Sequence, residues 1–566
     1  MRRERCGNPS LETSAGAISG WVDRDPDRCE AHGPPSSARI PALSRLSFRH
    51  AFVALLLAVV ATSVYQLGTD QREIVQESFD VGDTPVRVYR PAGTGSAPLV
   101  VVAHGFAGSR RLMEPLALAL AGGGYVALTY DFIGHGSHPR PLTGDLMSQD
   151  GTPALLIDQT EEVVEAGLAL PYVDGRVAVA GHSMATNILV RYAQQDDRVD
   201  ATAGISMFAP TVDSTSPSNL LAVAGALEGR LAAEGRRVVA MVADVDSAGV
   251  EPFVTYRQGS EGTARRLVVA PRVEHIGVLY SATTLDETVA WIDRAFGRDE
   301  FDPATGRAHG RGLWILALMA GVFLLARPLA ATLPPIAATP VGAAAGWRRV
   351  LVVSGVPAVL TPLILRPIPT SFLPVVVGDY LAVHFFLYGT LTALLIWWTG
   401  GRPRPSRIVE SAEIGGRSGV LVLAGSAAMV TFFLLAIAWP LDLFFTSFMP
   451  VPERLPLLGA VLVGTIPYFL ADEWLTRGAD SRRGVYPLTK LFFLLSLGGA
   501  VALDFDGLFF LILIVPIVLA FFVVHGLFSR WVYRSTGSPL VAGLGNAVAF
   551  AWALAVTFPL YAGPTQ

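Results

Sequence analysis

Nothing constrains this chain more than the long apolar runs that fill its C-terminal half. Eight candidate spans lie near residues 312–332, 350–366, 372–398, 418–446, 455–475, 488–504, 507–528 and 538–561. At 1.5 Å per residue, each is about the length that crosses a hydrocarbon core of ~30 Å. A further run, residues 51–67, follows Arg39, Arg45 and Arg49. It is near the lower length limit for a span, and no A-x-A site closes it convincingly. It reads as an uncleaved signal anchor rather than a cleaved signal peptide. Composition agrees, with 51% hydrophobic and only 16% charged residues among 566, against about 25% charged in a soluble domain.

The charges between the runs alternate. Arg327, Arg348 and Arg349 share one connection, and Arg402, Arg404, Arg407 and Arg417 fall two connections later. Arg477, Arg482, Arg483 and Lys490 come two after that, then Arg530 and Arg534. The intervening connections hold only Arg366, then Arg454, then the acids Asp504 and Asp506. Cytoplasmic loops collect Lys and Arg. The pattern therefore predicts a multi-pass protein of the cell membrane with nine spans. Residues 1–48, rich in Arg, Ser, Pro and Gly, are expected to be a disordered cytoplasmic tail. Residues 68–310 and the C-terminus are expected outside.

Residues 73–298 read as a soluble domain. Short apolar runs (TPVRVYRP, PLVVVAHG, YVALTYDF, RVAVAGHS, ATAGISMF, NLLAVAGA, ARRLVVAP) alternate with helix-period segments such as RLMEPLALALAGG and MATNILVRYAQQ. Such alternation predicts a mostly parallel, doubly wound sheet covered by helices on both faces, with ligands at the carboxyl ends of the strands. The net charge of −4 and a pI near 6.2 give no sign of a nucleic-acid partner. The two cysteines, Cys6 and Cys29, lie in the tail, and no metal-ligand spacing occurs. No metal or organic cofactor is expected.

Three features carry chemistry. Gly181-His182-Ser183-Met184-Ala185 follows the strand RVAVA and opens a helix. A serine on such a turn presents its hydroxyl outward, and small flanking residues relieve the crowded backbone. The Met184 amide, at a helix N-terminus, is a donor toward an oxyanion. His104-Gly105-Phe106-Ala107-Gly108-Ser109 follows PLVVV and offers the Phe106 amide as a second donor. His275 follows the last apolar strand, where a loop can bring a base to the serine hydroxyl. His135 and His138 are rivals, but precede the serine. For the acid that orients the base, Glu228 after NLLAVAGA competes with Asp244 and Asp246, which lie past a helix read in LAAEGRRVVAMVAD.

The HG-x-x-G loop, the YDFIGHGSH segment, the GHSMA elbow and the order serine–acid–histidine resemble the α/β-hydrolase superfamily over roughly residues 75–298. The resemblance implies that Asp131 and Gly134 shape a loop near the site rather than react. Ala185, where most of that family has Gly, and a glutamate acid, where most have Asp, depart from the pattern. The loop between ATAGISMFAP and NLLAVAGA is short, so no cap domain is expected over the serine. The membrane half resembles no family. Within it, Asp379, His384, Asp442, Asp472 and Glu473 read either as a polar pathway or as interhelical hydrogen bonding. Small residues in LVLAGSAAMV and LVAGLGNAVAFA suit close helix packing.

The expected function is that of a membrane-anchored serine hydrolase. Its triad would be Ser183, His275 and Glu228, and its substrate a small acyl-containing ester or thioester. The lipid bilayer is its expected partner. The alternatives are a transporter or channel with a non-catalytic hydrolase-like domain, and an acyltransferase that uses the same residues.

Overall fold

The computed structural model describes residues 42–563, apart from 94, 147, 258–262, 299–307, 344, 401–416 and 479–480. The expected disordered tail with Cys6 and Cys29, and the connection bearing Arg402, Arg404 and Arg407, lie outside the described residues. Contacts divide the chain between Ala51 and Phe52, and the folded body is the unit that starts at Phe52.

Nine strands form one sheet in the order β1-β2-β4-β3-β5-β6-β7-β9-β8. They are β1 (Ile74–Val81), β2 (Thr84–Pro91), β3 (Ala97–Ala103), β4 (Val126–Tyr130), β5 (Val173–His182), β6 (Val199–Ile205), β7 (Leu220–Gly225), β8 (Thr255–Tyr256) and β9 (Arg265–Ala270). From β4 through β9 the central pairings are parallel; β1, β2 and β8 pair antiparallel at the two edges. The apolar runs are continuous because both faces are buried. On one face Val100, Val102, Ala178 and Ala180 pack against α2 (Glu114–Gly122) and α6 (Ala282–Ala295). On the other, Leu99, Val101, Val177 and Val179 meet α3 (Thr152–Leu168) and α4 (Met184–Ala193). There α5 (Gly229–Ala240) covers β7 and β9 through Val238 and Val239. Sequence analysis misses β1 and β8. The first is polar and half exposed, and the second is two residues long and exists only by pairing with Arg265 and Arg266. Between β6 and β7 runs only an irregular loop, so no cap is inserted there.

Among the described residues, nine helices are long and apolar enough to cross a membrane. They are Phe48–Thr69, Arg311–Ala330, Trp347–Leu365, Gly378–Trp398, Gly419–Phe444, Pro452–Thr476, Val485–Leu503, Leu511–Thr536 and Pro539–Thr557. The first apolar run, short in sequence, belongs to a helix of 28 residues, Ala42–Thr69. Small residues let helices touch at backbone distance. A Cβ on Gly464 would fall 2.1 Å from the Ala382 carbonyl, and one on Gly389 would fall 2.3 Å from the Tyr468 nitrogen. In the LVLAGSAAMV segment, the Ser426 hydroxyl donates to the Val541 carbonyl at 3.1 Å.

Asp379, His384, Asp472 and Glu473 are paired within this half. Asp379 accepts the Phe372 and Tyr380 amides at 3.0 and 2.8 Å, and so caps its own helix. His384 meets Ser496 at 3.1 Å, Asp472 pairs with Lys490 and Thr489, and Glu473 pairs with Arg477. These contacts favour the structural reading of those residues over a continuous polar pathway.

The sheet domain rests on the helix ends opposite those bearing Arg327, Arg348, Arg477 and Arg534. Arg454, almost wholly buried, donates to the Ala555 and Phe558 carbonyls and reaches across to the Gly134 carbonyl at 2.9 Å. The Leu560 amide donates to the same Gly134 carbonyl, and the Leu142 amide donates to the Leu560 carbonyl, each at 2.8 Å. Asp442 pairs with Arg111 at 3.4 Å.

A second tie is ionic. Arg311, fully buried at the head of the helix Arg311–Ala330, lies 3.1 Å from the buried Glu114 of α2. Removing one partner of such a pair leaves a charge without compensation, at about 3–5 kcal/mol. Arg311→Met is therefore expected to lower the melting temperature of the detergent-solubilised protein. Adding Glu114→Leu should restore most of the loss, as read by a thermal scan of both variants.

Candidate active site

The sequence Gly181–Ala185 turns where β5 ends and α4 begins. Ser183 sits at the bend with φ 55° and ψ −117°, a conformation that a side chain disfavours. It is held there because its amide donates to the Ile205 carbonyl at 2.9 Å and its own carbonyl accepts the Thr186 amide at 2.9 Å. The turn is tight. A Cβ on Gly181 would lie 2.8 Å from Leu189 and 3.2 Å from the Ala185 Cβ. The methyl of Ala185 fits in full burial, so alanine at the fifth position keeps the steric logic.

Three side chains from three strand ends then meet in a row. The Ser183 Oγ lies 3.0 Å from His275 Nε2, and His275 Nδ1 lies 2.6 Å from Glu228 Oε1. The other carboxylate oxygen, Oε2, accepts the Gly225 amide at 2.7 Å and the Ser206 hydroxyl at 2.8 Å. Burial alone would raise the Glu228 carboxyl. Hydrogen bonds from His275, the Gly225 amide and Ser206 together outweigh burial and hold it below its ordinary value. Glu228 is thus the anionic end of the row, with its lone pairs committed. Asp244 and Asp246 are exposed on the connection after α5, where Asp246 accepts the Gly249 amide at 2.8 Å.

His275 is also fixed from behind. His182 Nε2 donates to the His275 carbonyl at 2.9 Å, with ring centroids 4.8 Å apart. Burial pushes His182 down to about 3, helped by the nearby His275 charge, so it stays neutral and adds no repulsion in the physiological range. Sequence alone singles out neither His182 nor Ser206 as part of this row. His182 lies inside the elbow motif, but Ser206 follows β6 and carries no local signal.

The loop after β3 presses on the elbow. A Cβ on Gly105 would come 2.9 Å from the Ser183 Cβ and 3.1 Å from His182 Nδ1, so only glycine allows the approach. Phe106 is the next residue on this loop, and Met184 is the first residue of α4, where an amide has no earlier helical carbonyl to bond. His104 anchors the loop, with Nδ1 donating to the Gly105 carbonyl at 2.8 Å and Nε2 accepting the Phe132 amide at 3.1 Å. Burial lowers the His104 pKa, in keeping with that neutral tautomer. Asp131 accepts the Arg110 and Ser137 amides at 2.7 and 2.9 Å and pairs with the Arg110 side chain, tying two loops together. Gly134 adopts φ +77°, and a Cβ there would strike the Leu560 carbonyl at 2.5 Å. His135 bonds the Ile133 carbonyl and His138 accepts the Arg140 amide, so both rivals serve their own loop.

The sheet order, the elbow and the row of three side chains define an α/β-hydrolase domain joined to a bundle of apolar helices. The family described as Serine aminopeptidase, S33, matches residues 95–245. That stretch takes in Phe106, Ser183 and Glu228, while His275 lies beyond it. The match supports hydrolase activity. No curated protein matches the chain. Among solved structures, a hypothetical protein from Pseudomonas aeruginosa is 12% identical, with 40% of this chain covering 94% of that one at a TM-score of 0.30. A dienelactone hydrolase from Anabaena variabilis is 17% identical, with 39% covering 99% at a TM-score of 0.29. An epoxide hydrolase from Vigna radiata is 22% identical at a TM-score of 0.20, with 24% of this chain covering only 42% of that protein's length.

Proposed function

We propose that the protein is a membrane-anchored serine hydrolase that cleaves acyl esters or thioesters. Ser183 Oγ attacks the acyl carbonyl as its proton passes to His275 Nε2. The carbonyl oxygen, now anionic, accepts the Phe106 and Met184 amides. Collapse expels the alcohol or thiol, which takes the proton from His275, and leaves an acyl-Ser183. Water, deprotonated by the same ring, then releases the acid and restores the serine. Glu228 keeps Nε2 free to accept a proton and stabilises the imidazolium that forms. The positive-charge pattern supports an extracytoplasmic site: the domain rests on the helix ends away from the arginines, so it faces outward if those are cytoplasmic.

The observation that carries this reading is the unbroken row from Ser183 to His275 to Glu228. It is tested with a fluorophosphonate probe on the purified full-length protein, followed by peptide mass spectrometry. The expected result is one phosphonyl adduct, on Ser183. Folded protein without an adduct would turn the reading toward a binding domain that lacks catalysis.

A further inference from the structure

No cap is inserted between β6 and β7, yet the loops that frame Ser183 are not free. Phe106 stacks on Phe510 with ring centroids 4.7 Å apart and an interplanar angle of 23°. Phe510 lies in the turn between the helices Val485–Leu503 and Leu511–Thr536, just before the second begins. The far end of the same loop is also gripped. The Ser109 Oγ accepts the Ser447 amide at 2.9 Å and lies 3.1 Å from the Thr446 hydroxyl. Between these two grips lie Ala107, at φ 57°, and Gly108, whose amide donates to the Gly105 carbonyl at 3.0 Å. Within the sheet domain, Phe106 meets the His135 ring edge-on at 5.8 Å.

We infer that Phe510, supplied by the membrane half, is a positioning residue that holds the Phe106 amide where the oxyanion forms. The inference rests on the serine-hydrolase reading and adds to it. The bundle does more than anchor the enzyme, because it takes the place of the missing cap and completes the oxyanion loop. The neighbouring contacts keep this register rigid, since Arg454 and Leu560 fix the Gly134 loop against the same helix ends. His104 fixes the loop at Gly105, but the segment beyond it, with a left-handed residue beside a glycine, still has conformations to lose. A flat ring pressed on Phe106 narrows them before substrate arrives.

The test uses full-length protein in detergent and hydrolysis of p-nitrophenyl butyrate. Losing one oxyanion donor outright costs about 10²–10³ in kcat. Loosening it through Phe510→Ala is expected to cost about 10- to 100-fold, with KM within about twofold. Phe510→Tyr, which keeps the ring, should retain near wild-type kcat. Phe106→Ala should match the loss, and the double variant should be no worse than either single, since both remove one contact. Wild-type kcat in Phe510→Ala overturns the inference, as does a loss additive with that of Phe106→Ala. A raised KM at constant kcat does so too, because it assigns Phe510 to substrate contact. If the alanine variant fails to fold, Phe510→Leu decides in its place: reduced kcat supports the positioning role and unchanged kcat ends it. A wild-type enzyme without Ser183-dependent turnover would instead sink the serine reading itself, and this inference with it.

Discussion

Ser183→Ala is expected to lower kcat for an ester by about 10⁶ while leaving KM and thermal stability nearly unchanged. Covalent catalysis then has no nucleophile, and His275 has no hydroxyl 3.0 Å away from which to take a proton. The residual rate over water is what the two amides and substrate binding supply without a covalent step, about 10³–10⁴. Because the row acts as a unit, His275→Ala alone should cost a similar factor, and the pair together little more. Stability should change little, since alanine keeps the Cβ and Ser183 is held by main-chain bonds to Ile205 and Thr186 rather than by its hydroxyl. Single-turnover and steady-state assays of the three variants check this. A Ser183→Ala enzyme that keeps more than a few per cent of its kcat would rule out the serine as nucleophile.

What sequence reveals here follows from how local each signal is. The nine apolar helices are legible because a helix able to cross hydrocarbon must be a long uninterrupted apolar run. The elbow is legible because five consecutive residues carry its whole steric logic. Positions at strand ends point to His275 and Glu228, and the structure brings both side chains to Ser183. Glu228 is the less obvious of the two because Asp244 and Asp246, past the next helix, rival it in sequence until the Gly225 amide and His275 are seen to meet Glu228. Ser206 and Phe510 are not legible, because each acts through a contact between distant segments. The docking of the helix bundle on the loops around Ser183 is hidden for the same reason. Arg454, Leu560 and Thr446 carry no pattern that names their partners, and the short loop after β6 says only that no cap enters there.

Glu228→Gln should lower kcat by about four orders of magnitude without a comparable change in KM. The hydrogen-bond geometry dictates the direction. Oε2 of Glu228 accepts from the Gly225 amide, which can only donate. A glutamine must therefore turn its carbonyl oxygen toward Gly225 and Ser206, which leaves its NH₂ facing His275 Nδ1. Facing a donor, the ring must present a bare Nδ1 and carry its proton on Nε2. That nitrogen then points an N–H at Ser183 and has no lone pair to accept the hydroxyl proton. The loss is one of tautomer, with the side chains still in place. The same change should alter acid stability. Native Glu228 is held below its ordinary value near 4.5, so it stabilises the fold above that value, and the contribution disappears as pH falls through its depressed value. Glutamine has no such contribution to lose. The gap in melting temperature between wild type and Glu228→Gln should accordingly narrow on acidification. A gap that stays constant, or a variant with near wild-type kcat, would show that Glu228 does not set the ring.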